Sequence, residues 1–366
     1  MKIDPELAGW LQLSLTPGLG SSSVRKLLRE FGLPRQVLSR RRSDLTAFMG
    51  SASLEAIDSS AVRQAVERAL DWAGADGHSI VTLADESYPR ALLEIPDPPP
   101  LLYAHGRPEL LQRPALAIVG SRNASAQGES NAAQFARALS EAGLTVVSGL
   151  ALGIDAAAHR GGLASVGSTI AVLGTGIDVI YPSRNAELAA EIAVSGLLVS
   201  EFPLGTPAIA HNFPRRNRLI SGLARGCLVV EAAVSSGSLI TARCAADQGR
   251  EVFAIPGSIH SPLSKGCHAL IKSGAKLVEC AEDVLAELAG FHPSAQASTV
   301  ASPAAQPDTG LLAVMGHDPV DVDSLCTRAG LSAEEVTSQL LRLELDGRVT
   351  ALPGGLYQRL EKAHRG

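Results

Sequence analysis

Five short strings inside residues 116–242 constrain this chain more than anything else in it. They are LAIVGSR (116–122), VVSGLALGIDAAAH (146–159), AVLGTGIDVIYP (171–182), HNFPRRNRLISGL (211–223) and EAAVSSGSLITA (231–242). Four of them join an apolar, β-branched run to a Gly/Ser turn and then to a helical pattern. Repeating that unit commits a chain to alternating strands and helices. Its strand-to-helix turns aim backbone N–H groups and helix N-termini at an anion beyond the sheet. The remaining string, FPRRNRLISGL, supplies clustered cations instead. The pattern predicts a phosphate site, and the arginines point to a polymer of phosphates.

The rhythm runs across residues 115–290. Apolar runs predict strands at 116–120, 145–149, 169–174, 197–200, 227–232, 251–255 and 276–279. Helical patterns fall between them, at about 128–142, 153–166, 185–195, 216–224, 238–248, 266–273 and 281–289. The strand runs are continuous and not alternating, as in parallel strands buried on both faces. The expected fold class is α/β, with a Rossmann-like, doubly wound, mostly parallel sheet. Residues 1–75 read as a helical head whose LTPGLGSSSVRKLL turn has the form of a helix-hairpin-helix element, or of a tight connection between two helices. Residues 76–290 form the central domain, opening with one strand and a Pro-rich extended connector in which Pro98 to Pro100 forbid a helix. Residues 291–308 read as a Ser/Ala/Pro-rich linker. Residues 309–366 carry three helical patterns and a hairpin turning at Pro353-Gly354-Gly355, the pattern of a winged helix.

Composition narrows the function. The net charge is −5, so phosphate binding has to come from a local patch. The five cysteines have no metal-binding spacing and read as reduced, small apolar fillers. No signal peptide and no 18-residue apolar run is present, and a cytoplasmic protein with no membrane partner is expected.

Gly120-Ser121-Arg122 closes the first strand with a small turn, a hydroxyl and a guanidinium fork suited to phosphate, or simply with a solvated arginine. Neither SGLALG (148–153) nor LGTGID (173–178) has the spacing of a dinucleotide fingerprint, so no cofactor is expected. Asp155 and His159 share a helix face, either for acid/base work or as a structural pair. Arg215, Arg216, Arg218 and Arg225 follow Phe213 on one short helix. Cations beside an aromatic suit a single strand, and the competing reading pairs these arginines with Glu201 or Glu231. Ser235-Ser236-Gly237-Ser238 opens another helix, as an anion-binding turn or as plain capping. In the tail, Glu334, Glu335, Glu344 and Asp346 on the third helix disfavour duplex reading.

Together with YPRALLEIPDPPPLLYAHG, GREVFAIPGS and GCHALIKSGAKLV, these strings closely resemble the DNA-processing protein A family (DprA, also called Smf), over nearly the whole chain. The resemblance implies a non-enzymatic single-stranded DNA binder that protects incoming DNA in natural transformation. It implies loading of RecA recombinase past single-strand-binding protein, and action as a homodimer. Carried onto this chain, Gly120, Ser121 and Arg122 would clamp one phosphate. Gly149 and Gly153 would shape the second turn, and Gly174 and Gly176 the third, with Arg184 beside it. Arg215, Arg216 and Arg218 would neutralise further phosphates, Phe213 would stack a base, and Ser236 and Ser238 would complete the site. Ile259, His268, Ile271 and Leu277 would lie in the dimer interface. The chain departs from the family where a Tyr often follows Gly-Ser-Arg; here SAQG (125–128) stands, which removes an aromatic from that turn. A Rossmann-like nucleotide phosphoribohydrolase is the rival reading, but SSGSLITA lacks the Gly-rich string and following Glu that such enzymes carry. An interaction scaffold built on the winged helix is a third.

Overall fold

The computed structural model describes residues 5–288 and 310–360, so the linker read at 291–308 lies outside the described residues. A nine-stranded sheet forms the centre: β1 (His78–Thr82), β2 (Leu101–Gly106), β3 (Ala115–Val119), β4 (Thr145–Ser148), β5 (Thr169–Val172), β6 (Leu197–Ser200), β7 (Gly226–Val229), β8 (Glu251–Ala254) and β9 (Lys276–Leu277). Their spatial order is β1-β2-β6-β5-β4-β3-β7-β8-β9. From β6 to β9 every pairing is parallel. Each parallel strand lies within a few residues of the apolar run that predicts it.

β3 shows why the continuous runs matter. All five of its residues are buried. Leu116 and Ile118 pack with Phe135 and Leu139 of helix Ala126–Glu141 on one face. Ala117 and Val119 pack with Leu219 and Ile220 of helix Asn212–Leu223 on the other. A strand covered on both sides has no polar face to alternate with.

The Pro-rich connector holds more structure than an extended strap. Its second half is β2, which pairs antiparallel with both β1 and β6, aligning Tyr103 with Ser200. Pro98 to Pro100 end just before it, and the partner strand β6 lies far along the chain, so no local signal marks the pairing. The helical head rests on this side of the sheet. Trp10 and Leu11 share a core with Tyr103 and Leu198, while Leu13, Val24, Leu27 and Val37 form the head's own core.

In the tail, helices Leu311–Met315, Val322–Ala329 and Ala333–Leu345 precede the hairpin β11 (Val349–Leu352) and β12 (Leu356–Arg359). A short β10 (Val320–Asp321) joins them in the order β10-β12-β11. This is a winged helix, closed around Leu325, Val336 and Leu340.

Candidate nucleic-acid interface

β3 is flanked by β4 on one side and β7 on the other, so the chain order reverses beside it. Crevices form at such switch points, outside the carboxyl ends of the strands. A cleft of about 640 Å³ opens there, lined by Gly120, Ser121 and Arg122 after β3, by Ser235 to Ser238, and by Phe213 and Arg216.

The mouth of the cleft carries a cation and two rings in series. The exposed Arg122 guanidinium lies 5.9 Å from the centre of the Phe213 ring. The Phe213 ring lies 5.5 Å from that of Tyr181, tilted by 44°. Tyr181 is 48% exposed, leaving a face for a ligand. Tyr181 has no signal of its own in the sequence: its string YPSRN marks a turn and Arg184, and the family's usual aromatic stands directly after Gly-Ser-Arg. Across the cleft, helix Ser238–Asp247 begins at Gly237, which has no side chain to cap it. The Ser236 and Ser238 hydroxyls bond each other at 2.7 Å. The Ser236 hydroxyl also accepts from the Ser238 amide at 3.3 Å, so Ser236 caps the first amide of the helix that begins at the cleft.

Arg216 forms the floor, 4% exposed. Its Nη1 donates to the carbonyls of Gly149, at 2.9 Å, and Val172. A Cβ on Gly149 would stand 2.7 Å from that guanidinium, so glycine is required for the close approach. Asp155 accepts from the amides of Gly149 at 3.1 Å and Ala151 at 3.4 Å. Burial pushes the Asp155 carboxyl up, against the opposing pull of Arg216, while burial lowers Arg216 to about 10. The neighbouring His159 is fully enclosed. Its Nε2 accepts from the Leu150 amide at 3.3 Å, which leaves Nδ1–H to donate to Thr169 Oγ1 at 2.7 Å. Burial lowers it to about 3, so it is neutral. Both members of the i, i+4 pair are committed to backbone and hydroxyl groups, the structural alternative of the two considered.

The remaining arginines of the cluster lie elsewhere than in the cleft. Arg215 and Arg218 do share a face, but that face turns away from the cleft. Arg218 bonds Glu201 at 2.5 Å and also pairs with Asp97; Arg215 reaches Glu201 at 3.2 Å. Neither lines the cleft. The reason is helical phase: burying Leu219 and Ile220 under β3 turns Phe213, Arg216 and Asn217 toward the cleft and the other two arginines toward the head. Arg225 lies past the end of the helix at Leu223. Among the described residues Glu231 pairs with no arginine; it accepts from the Ser125 amide and hydroxyl at 2.9 and 2.5 Å.

Gly149, Gly153, Gly174 and Gly176 also stand behind the lining. Gly153 has φ +72°, and a Cβ there would meet the Ser121 carbonyl at 2.4 Å. A Cβ on Gly174 would meet the Phe213 ring at 2.7 Å. These glycines let turns and rings close on one another. Arg184 is exposed on the short turn Ser183–Asn185, outside the cleft lining. At the far edge of the sheet, Leu277 on β9 is 49% exposed and Ile259 is 66% exposed. Ile271 packs on the core and His268 Nε2 bonds the Gly257 carbonyl at 3.1 Å.

No acidic residue lies in the first turn of helix Ser238–Asp247, where a phosphoribohydrolase would need its Glu. Among the described residues no helix is long and apolar enough to cross a membrane.

Residues 79–289 match the family described as DNA recombination-mediator protein A, and residues 292–355 match the DprA winged helix domain. Protein Smf of Escherichia coli (strain K12) is 48% identical over 309 residues, 82% of each chain. DNA processing protein A from Streptococcus pneumoniae has a solved structure that superposes with a TM-score of 0.68 at 40% identity, covering 80% of this chain and 100% of that one. The Helicobacter pylori protein, whose structure concerns its single-stranded DNA binding mode, superposes with a TM-score of 0.52 at 31% identity, covering 56% and 93%.

Proposed function

The chain belongs to the DNA recombination-mediator protein A (DprA/Smf) family, and from that premise we propose that it binds single-stranded DNA in the β3/β7 cleft without sequence preference. The bound strand is protected and handed to RecA past single-strand-binding protein, the role expected in natural transformation. The row of Arg122, Phe213 and Tyr181 carries this reading. A cation next to an exposed ring and a half-buried one holds a phosphate while a base stacks, and every base has a face to stack. Paired bases in a duplex keep their faces against one another and cannot reach the rings. A binding role is the reading this geometry supports, since Asp155 and His159 are buried and held by backbone and hydroxyl groups.

Anisotropy of labelled oligo-dT against a duplex of equal length, across salt, tests this. The single strand should bind at least about tenfold tighter, with log K falling by roughly 0.7 per phosphate neutralised per decade of salt. Equal binding to duplex would refute the cleft as a single-strand site.

We put the homodimer at the open β9 edge, where Leu277 and Ile259 leave apolar surface in water. Leu277→Glu should halve the sedimenting mass at micromolar concentration. A wild-type chain that sediments as a monomer would overturn this interface.

A further inference from the structure

A second, smaller cavity of about 160 Å³ lies between the helical head and the sheet, and no part of the cleft reading uses it. Its lining holds three polar atoms that are buried and without a hydrogen-bond partner: Tyr103 Oη, Glu201 Oε1 and Ser14 Oγ. Tyr103 is 1% exposed and the Glu201 side chain 2%. Buried donors and acceptors left unpaired are costly, so such a set marks a place where something polar belongs. Gly20 and Ser21 form one lip, at the start of helix Ser21–Phe31, which has no side-chain cap. Its first amides are free for an anion. Arg215, half exposed, forms another. Leu15, Pro100 and Phe202 supply apolar walls.

The pairing edge of a nucleobase matches this combination. Each of the four bases carries at least one N–H and at least one acceptor on its pairing edge. Glu201 Oε1 would accept the N–H and the Tyr103 hydroxyl would donate to the acceptor, whichever base is present. The helix N-terminus and Arg215 suit the attached phosphate. In a duplex those edges are already used. Resting on the cleft reading above, we propose that this cavity takes the pairing edge of one unpaired base, so that the head is part of the strand path and senses single-strandedness. One helix borders both sites: its Pro214 lines the cleft, and Arg215, the next residue, lines the cavity.

The test uses the full chain with oligo-dT of about four and about twenty nucleotides, the short one filling the cleft alone. Tyr103→Phe removes an oxygen that has no partner, so the fold should tolerate it; Ser14→Ala is the second variant. Each should weaken the long strand about fivefold, the worth of one hydrogen bond, and leave the short one unchanged. The long strand should also slow amide exchange at residues 20–24. Unchanged affinity for the long strand with unprotected amides would make the cavity a water-filled seam and overturn the proposal. Protection by free dTMP but not by the long strand would overturn the strand path and leave a free-nucleotide site. Arg122→Ala separates this from the cleft reading: if it weakens the short strand while Tyr103→Phe spares the long one, only the cavity proposal falls. If Arg122→Ala spares the short strand, the cleft reading falls.

Discussion

Replacing Arg122 and Phe213 together with alanine should lower affinity for oligo-dT about a hundredfold. Losing one base–aromatic stack costs about 1–3 kcal/mol, and losing one phosphate contact removes roughly 0.7 from the salt slope. The two single variants should differ in kind. Arg122→Ala flattens the salt dependence, whereas Phe213→Ala weakens binding equally at every salt concentration. Their effects should not add, because the guanidinium lies 5.9 Å from the ring centre and each holds the other in place. The double variant should fold normally, since Arg122 is exposed and Phe213 only half-buried. It should also fail to start RecA assembly on DNA coated with single-strand-binding protein. Undiminished oligo-dT binding by the double variant would remove the site. RecA loading that survives the loss of DNA binding would show that the hand-over uses another surface.

Legibility of this chain follows burial. Strands β3 to β8 could be read because each carries a short apolar run flanked by a turn and pairs with a neighbour of the same kind. β2 could not, because its role is set by β6, across a span of chain with no local trace. The site divides the same way. Gly-Ser-Arg, Phe213 and the start of the Ser238 helix lie at strand ends and helix starts, positions that the period of the sequence fixes. The arginine cluster misleads because composition records four cations but not their partners. Glu201 and Asp97 come from other segments and meet two of them. Arg216 shows the opposite failure. Its spacing from Phe213 and Ile220 marks the buried face, yet nothing in HNFPRRNRLISGL says that two carbonyls and a carboxylate wait there. Tyr181 reaches the cleft only through the folding of the loop after β5, so its neighbour Phe213 is invisible in sequence.

The floor residue carries the second large effect. Arg216→Ala should destabilise the central domain by about 3–5 kcal/mol, since each buried carbonyl left without its donor costs about 1–3 kcal/mol and a buried carboxylate loses a nearby cation. For a domain of this size that is a fall in Tm of about 10 °C. Two terms contribute. The carbonyls of Gly149 and Val172 lose their donor, and Asp155, 7% exposed, loses the cation that offsets its burial. Asp155→Asn added to Arg216→Ala should recover part of the loss. The amide oxygen can still accept from Gly149 and Ala151, but the orphaned carbonyls remain. pH separates the two terms further. Without Arg216, the folded-state pKa of Asp155 rises further above its unfolded value. Stability tied to the protonated acid is then present below the ordinary carboxylate pKa and lost as pH rises through the folded one. The Tm deficit of Arg216→Ala should therefore narrow as pH falls toward the carboxylate range, while that of the double variant stays flat. A single variant that melts with the wild type would mean that Arg216 is not the cation that neutralises the cleft floor. A deficit independent of pH would assign the loss to the carbonyls and not to Asp155.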